Sequence, residues 1–147
     1  MVVYIRAALR ALQGHLAASG HCPGGAMIGE PRAPVASQAG AVILDRYDHP
    51  ETDLTGSIET RWITVRFYRD FLNDPREEEA EGDLDAAVAD FQSALFANFD
   101  FDVSGVRAIR PTLVSANTGY TSIGQTQYRI ADIHIPLIVD DSAAFSA

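Results

Sequence analysis

Lysine is missing from this 147-residue sequence, and all eleven of its basic residues are arginine. A GC-rich genome accounts for that bias more simply than a need for bidentate pairing does. Cys22 is the only cysteine, so no disulfide can form within the chain. No run approaches the roughly 18 consecutive apolar residues that mark a membrane-spanning helix. The apolar opening Met-Val-Val-Tyr-Ile is followed at once by Arg6 and Arg10, which denies it the core of a secretion signal. The chain is expected to fold where it is made.

Positive charge is scarce too. The formal net charge is -9, and it is unevenly spread. Asp74, Glu77, Glu78, Glu79, Glu81, Asp83, Asp85 and Asp90 stand against Arg76 alone, which puts -7 of that charge in one segment. Phosphate contacts need positive charge, so this segment should not hold nucleic acid. A hydrophobic share of 47% with 21% charged residues is the composition of a globular protein, neither disordered nor membrane-embedded. One domain over residues 1–147 with one core is expected.

The stretch Arg-Trp-Ile-Thr-Val-Arg-Phe-Tyr-Arg-Asp-Phe-Leu, residues 61–72, organises the rest. Ile63, Val65, Phe67 and Phe71 share one parity, while Trp62, Thr64, Arg66 and Tyr68 share the other, which is the period of a half-buried strand. The second face carries an indole, a phenol and an arginine, so it is built to meet something other than water alone. Residues 126–139 repeat the pattern, with Ala131, Ile133, Ile135, Leu137 and Val139 on one face and Tyr128, Ile130, Asp132 and His134 on the other. A shorter strand is predicted over 41–47, a turn-rich connection over 48–56, and a third strand over 103–115 that Pro111 demotes to an edge or a bulge. Residues 116–125 read as a hairpin loop that lifts Tyr120 and Ile123 out of the strand pair.

Two helices are predicted. Ile5, Leu9, Leu12 and Leu16 recur at helical spacing over 3–19, with Gly20 as a C-terminal cap. Leu84, Val88, Phe91 and Leu95 do the same in the second, where Asp74 can cap, Pro75 suits the first position and Glu77 completes a capping box. Gly82 weakens its continuity, so the firm helix is expected from Asp83, with residues 76–81 as a frayed acidic turn. Residues 20–40 hold Pro23, Gly24, Gly25, Gly29, Pro31 and Pro34 without a period, and read as a long loop. Met27, Ile28 and Val35 within it call for a docking surface, on its own domain or on a neighbour. The tail from 140 to 147 should be loose. The fold class is therefore α+β: a mostly antiparallel four-stranded sheet with two helices packed on one face, in the order α-β-β-α-β-β.

None of the candidate chemistry amounts to a catalytic site. His15, His21 and Cys22 are close in sequence but lack a second ligand pair, so no metal is expected. Asp132 and His134 share a strand face without a serine or cysteine nucleophile in a turn motif, and read as an exposed polar pair. The acids of 77–85 lack the spacing of a calcium loop and suit a solvated face or an electrostatic lining. Trp62, Tyr68, Tyr120 and Tyr128 lack the clustered basic residues of a nucleic-acid stacking platform and fit protein contact better.

Taken together, the amphipathic first helix, the long loop, the strand Arg-Trp-Ile-Thr-Val-Arg-Phe-Tyr entering an acidic helix, and the closing Gly-Tyr-Thr-Ser-Ile-Gly and Tyr-Arg-Ile-Ala-Asp-Ile-His-Ile-Pro-Leu-Ile-Val resemble the tail terminator proteins of long, non-contractile-tailed bacteriophages. The likeness runs over nearly the whole chain. It implies a non-enzymatic structural virion protein without cofactor, forming a ring, typically hexameric, that caps the head-proximal end of the tail tube. The ring ends tube polymerisation and offers the surface for head attachment. Its implied partners are further copies of itself, the major tail tube protein and the head-tail connector, with DNA passing through unbound and no membrane involved. It would assemble in the host cytoplasm and reside in the virion.

On that resemblance Trp62, Arg66, Tyr68, Tyr120 and Arg129 are expected at subunit or tube contacts, and Glu77, Glu78, Glu79 and Glu81 are expected to face the lumen. Phage head-tail joining (neck) proteins look alike at this level. A rival from another class is a small ligand-binding or enzymatic α+β domain with Asp132 and His134 in a pocket between sheet and helices.

Overall fold

The structure, a computed structural model, describes residues 6–35, 37–53, 56–70, 77–97, 106–108 and 114–140. The first helix, α1, spans Arg6–Ala18 and closes at Gly20, whose φ of 79° suits the expected cap. The strands are β1 (Ala26–Ile28), β2 (Gln38–Asp53), β3 (Gly56–Asp70), β4 (Val106–Ala108), β5 (Ser115–Ile123) and β6 (Thr126–Asp140), with α2 (Glu77–Ala97) between β3 and β4. They form one sheet in the order β1-β2-β3-β6-β4, with β5 paired to β6 beyond the end of β4. The β1–β2 pair is parallel and every other pair antiparallel.

The α+β class therefore holds, but the sheet is mixed and has more strands than the four antiparallel ones expected. The parallel β1 comes from inside the long loop: Met27 pairs with Ala41 and Ile28 with Val42, so three residues between Gly25 and Gly29 suffice for an edge. The expected connection over 48–56 is largely strand, because β2 and β3 continue as one long ribbon whose register shifts between Leu44 and Arg46 and between Asp48 and Glu51. Bulges absorb irregular spacing without ending a strand. The expected hairpin loop over 116–125 is also strand. Its turn shrinks to Gly124 and Gln125, with Ile123 opposite Thr126, and Gly124 takes φ 61° at the position that a type II′ turn gives to glycine.

The second helix runs unbroken through Gly82 from Glu77, so the acidic turn expected to fray is helical. One glycine costs roughly 1 kcal/mol against alanine, which burial of Ala80, Leu84, Ala87, Phe91 and Leu95 outweighs. The proposed Asp74 and Pro75 cap, the Ile5 end of the first stripe, Pro111 and the tail after Asp140 lie outside the described residues.

Both helices cover the same face of the sheet. Ala8, Leu12 and Leu16 of α1 and Leu84, Phe91 and Leu95 of α2 pack on Val42, Ile63, Val65, Phe67, Ala131, Ile133, Ile135 and Leu137. Phe67 meets Phe91 edge to face with ring centroids 6.2 Å apart, a geometry that the ring quadrupoles favour. At Gly40 the helix side sits almost on the backbone. A Cβ there would fall 2.6 Å from Leu16 Cδ2 and 2.8 Å from Cys22 Sγ, so glycine sets how closely α1 and its following turn can approach.

Candidate functional site

The face of the sheet turned away from the helices holds most of the unusual chemistry, and its two halves are filled differently. Over one half the chain folds back on itself. Ala41, Tyr68, Tyr128 and Ile130 form a second small core with Met27, Val35, Ile43 and Ile123. Tyr68 and Tyr128 meet edge to face at 5.9 Å. The Tyr128 hydroxyl donates to Val35 O and accepts from Val35 N, both at 2.8 Å. One phenol thus satisfies both backbone groups of a loop residue, and the long loop docks on its own domain at this point.

Over the other half the side chains are polar and paired across strands. Arg66 stands opposite Asp132 and Thr64 opposite His134 in the β3–β6 register, the positions whose side chains lie closest. Arg66 Nε donates to Asp132 Oδ1 at 2.7 Å and Nη2 to Oδ2 at 3.0 Å, a bidentate fork. Its Nη1 reaches Glu30 Oε1 at 3.2 Å. Asp132 raises the Arg66 pKa above its ordinary value, chiefly by hydrogen bonding, against the opposing effect of burial. His134 is held at both ring nitrogens, with Nδ1 3.2 Å from Thr64 Oγ1 and Nε2 2.8 Å from Asn117 Oδ1. Asp132 and His134 share this outer face, each with its own partners, and neither borders the space between sheet and helices.

The candidate contact residues part company here. Trp62 is half-buried with the Arg46 guanidinium 4.8 Å from its ring centre. Tyr68 is 1% exposed and taken up by the chain's own fold, where burial pushes its phenol pKa up. Tyr120, at 68%, is the most exposed large hydrophobic side chain among the described residues. Arg129 lies on the helix side, stacked 4.6 Å from the Tyr120 ring centre.

There the two sets of candidates meet. Arg129 Nε donates to Glu81 Oε1 at 2.6 Å, and Arg69, directly opposite Arg129 in the sheet, pairs with Asp83 at 3.2 Å. Two arginines side by side on neighbouring strands would repel. The carboxylates of α2 neutralise them and tie its first turns to the sheet. Glu78 and Glu79 are exposed on the same helix, and Glu81 and Asp83 keep about half of their side-chain surface, 52% each. The Glu77 side chain lies outside what the structure describes. These ion pairs were not visible from sequence, because they depend on the register of β6 against β3.

Of the proposed metal donors, His21 pairs with Asp90 on α2 at 2.7 Å. Cys22 is half-buried, and burial pushes its thiol up to about 11, away from the thiolate that metal ligation requires. Among the described residues no group of three or more histidine, cysteine, aspartate or glutamate side chains is placed to hold a metal ion. No helix described is long and apolar enough to cross a membrane.

Two cavities open beside these residues. One, of about 260 Å³, lies by the loop and is lined by Glu30, Arg32, Arg66, Tyr68 and Thr121. The other, of about 240 Å³, lies between α2 and β5 over Leu84, Val88, Ala116 and Ala131. No family model matches the chain, and no curated protein matches it.

Proposed function

We propose that this chain is a structural virion protein of the tail terminator type. It forms a ring at the head-proximal end of a phage tail tube, stops the tube from growing and presents the head-attachment surface. The observation that carries this reading, beside the sequence resemblance, is the surface of α2. Glu78, Glu79 and Asp85 are exposed, Glu81 and Asp83 keep about half of their side-chain surface beside Arg129 and Arg69, and residues 77–97 contain no basic residue. A passage for DNA works best with a wall that repels phosphate, and this helix supplies one.

Ring closure needs heterologous contacts, with one patch meeting a different patch on the next copy. The exposed Tyr120 and the half-buried Trp62, each with an arginine over its ring, are aromatic anchors for such contacts, since aromatic residues concentrate at interface centres. The polar outer face then serves to fix the shape of the sheet; its acid and histidine are held by neighbours instead of being poised for chemistry. In this reading the partners are copies of the chain, the tube protein and the connector, and assembly takes place in the host cytoplasm.

Replacing Glu77, Glu78 and Glu79 together with lysine tests the lining. Rings of normal size that slow or trap DNA during its passage are expected, and infectivity equal to the parent's would overturn the lumenal placement.

A further inference from the structure

The sheet has two edges, and they are built differently. At one, β1 is three residues long, and Gln13 of α1 donates to its Ala26 carbonyl at 3.0 Å. On the opposite side β6 is flanked by the short β4, which carries Arg107, and by β5, which is nine residues long and pairs with β6 alone among the described strands. The β5 sequence, Ser-Ala-Asn-Thr-Gly-Tyr-Thr-Ser-Ile, contains neither a charge nor a proline. Charge and proline are two of the means by which edge strands are kept from pairing, because their outward N–H and C=O groups are a template for another chain.

Beside β5 runs the trough between that strand and α2. Its floor is Leu84, Val88, Ala116 and Ala131, and Glu81 and Asp85 stand at its rim. The trough ends where Arg129 Nη1 donates to the Gly119 carbonyl at 2.9 Å and Nη2 to the Thr118 hydroxyl at 3.2 Å, while Nε and Nη2 hold Glu81. Among the described residues, the stretch whose backbone has no partner on its outward side is therefore 115–118, three of which line the trough.

We infer that residues 115–118 accept an extended segment of a partner protein as an added strand. That segment carries an aliphatic residue and, two positions away on the same face, an arginine or lysine. Strand addition supplies backbone hydrogen bonds for affinity and pockets at alternate side chains for selection. Here the aliphatic side chain enters the trough and the basic one meets Asp85, the rim carboxylate that Arg129 does not hold. An acidic segment would be repelled by the same rim. The inference stands apart from the ring reading, since it needs only the edge, the trough and the charge.

The test uses the intact chain and the peptide acetyl-Thr-Val-Thr-Arg-Thr-Val-Thr-amide, followed by amide chemical shifts. Saturable shifts confined to residues 115–118 and the facing turns of α2 are expected. Only one parity of a strand's amides faces its neighbour. Of two peptides N-methylated on alternate residues, one should therefore lose at least about tenfold in affinity and the other keep it. Asp85→Arg, on an exposed helix position, should weaken the parent peptide by about tenfold, and a peptide with glutamate in place of arginine should bind no better to the unaltered chain. Absence of saturable binding, equal binding by both methylated peptides, or no effect of Asp85→Arg on a chain whose spectrum shows it folded would each overturn the inference.

Discussion

The two faces of this sheet are made by the same strands, yet they are closed by different means. On the helix side, β3 and β6 contribute aliphatic and aromatic residues that two amphipathic helices cover completely. On the other side the alternate residues of the same strands are covered by a loop over one half and by cross-strand polar pairs over the other. Apolar burial is non-directional, so any helix with a matching stripe can seal the first face. The second face depends on individual hydrogen bonds, each of which fails if the register slips by one residue.

Truncation separates the two faces most sharply. Phe67→Ala, on the helix side, removes a fully buried ring packed on Phe91 and should cost about 3–5 kcal/mol in urea or guanidinium unfolding. A loss as small as that of an exposed substitution would place the main core elsewhere.

Asp132→Ala, on the outer face, should cost less, about 1–3 kcal/mol, by leaving the Arg66 guanidinium without its bidentate partner. Replacing both, as Arg66→Met with Asp132→Leu, should recover most of that loss, because a polar pair exchanged for apolar groups of similar size is often nearly neutral. Failure of the double variant to recover would mean that the pair is needed for the fold itself.

Tyr128→Phe keeps the ring and deletes only the hydroxyl that serves Val35. A loss of about 1 kcal/mol is expected, with trypsin cleavage after the exposed Arg32 rising several-fold. Unchanged cleavage would show that the loop is held by its apolar contacts alone.

The sequence made the first face plain and the second obscure for the same physical reason. Periodicity reports which side of a strand is apolar, and it placed Ile63, Val65, Phe67, Ile133 and Ile135 in the core where they are found. It also marked the stripes of both helices and the cap at Gly20. What it cannot report is which residue stands opposite which. The Arg66–Asp132 fork, the His134 contacts and the Arg129–Glu81 pair all follow from β3–β6 register and from where α2 lies. Tyr128 reads as an outward residue by parity, and so it is, but its outward side is where the loop returns. The glycines and prolines of 20–40 correctly signalled a loop while hiding a three-residue parallel strand too short to show a period.

β5 is the remaining case. Its polar, glycine-containing sequence reads as a loop, whereas a two-residue turn at Gly124 and thirteen residue pairs between β3 and β6 make a strand at that edge the natural continuation.

The central claim, that this domain is one segment of a closed ring, is tested most directly by imaging the purified chain by negative stain, alone and mixed with the tail tube protein. Closed rings of uniform size, in either sample, are the predicted result. A single-subunit mass at high concentration together with no association with tube protein would contradict it.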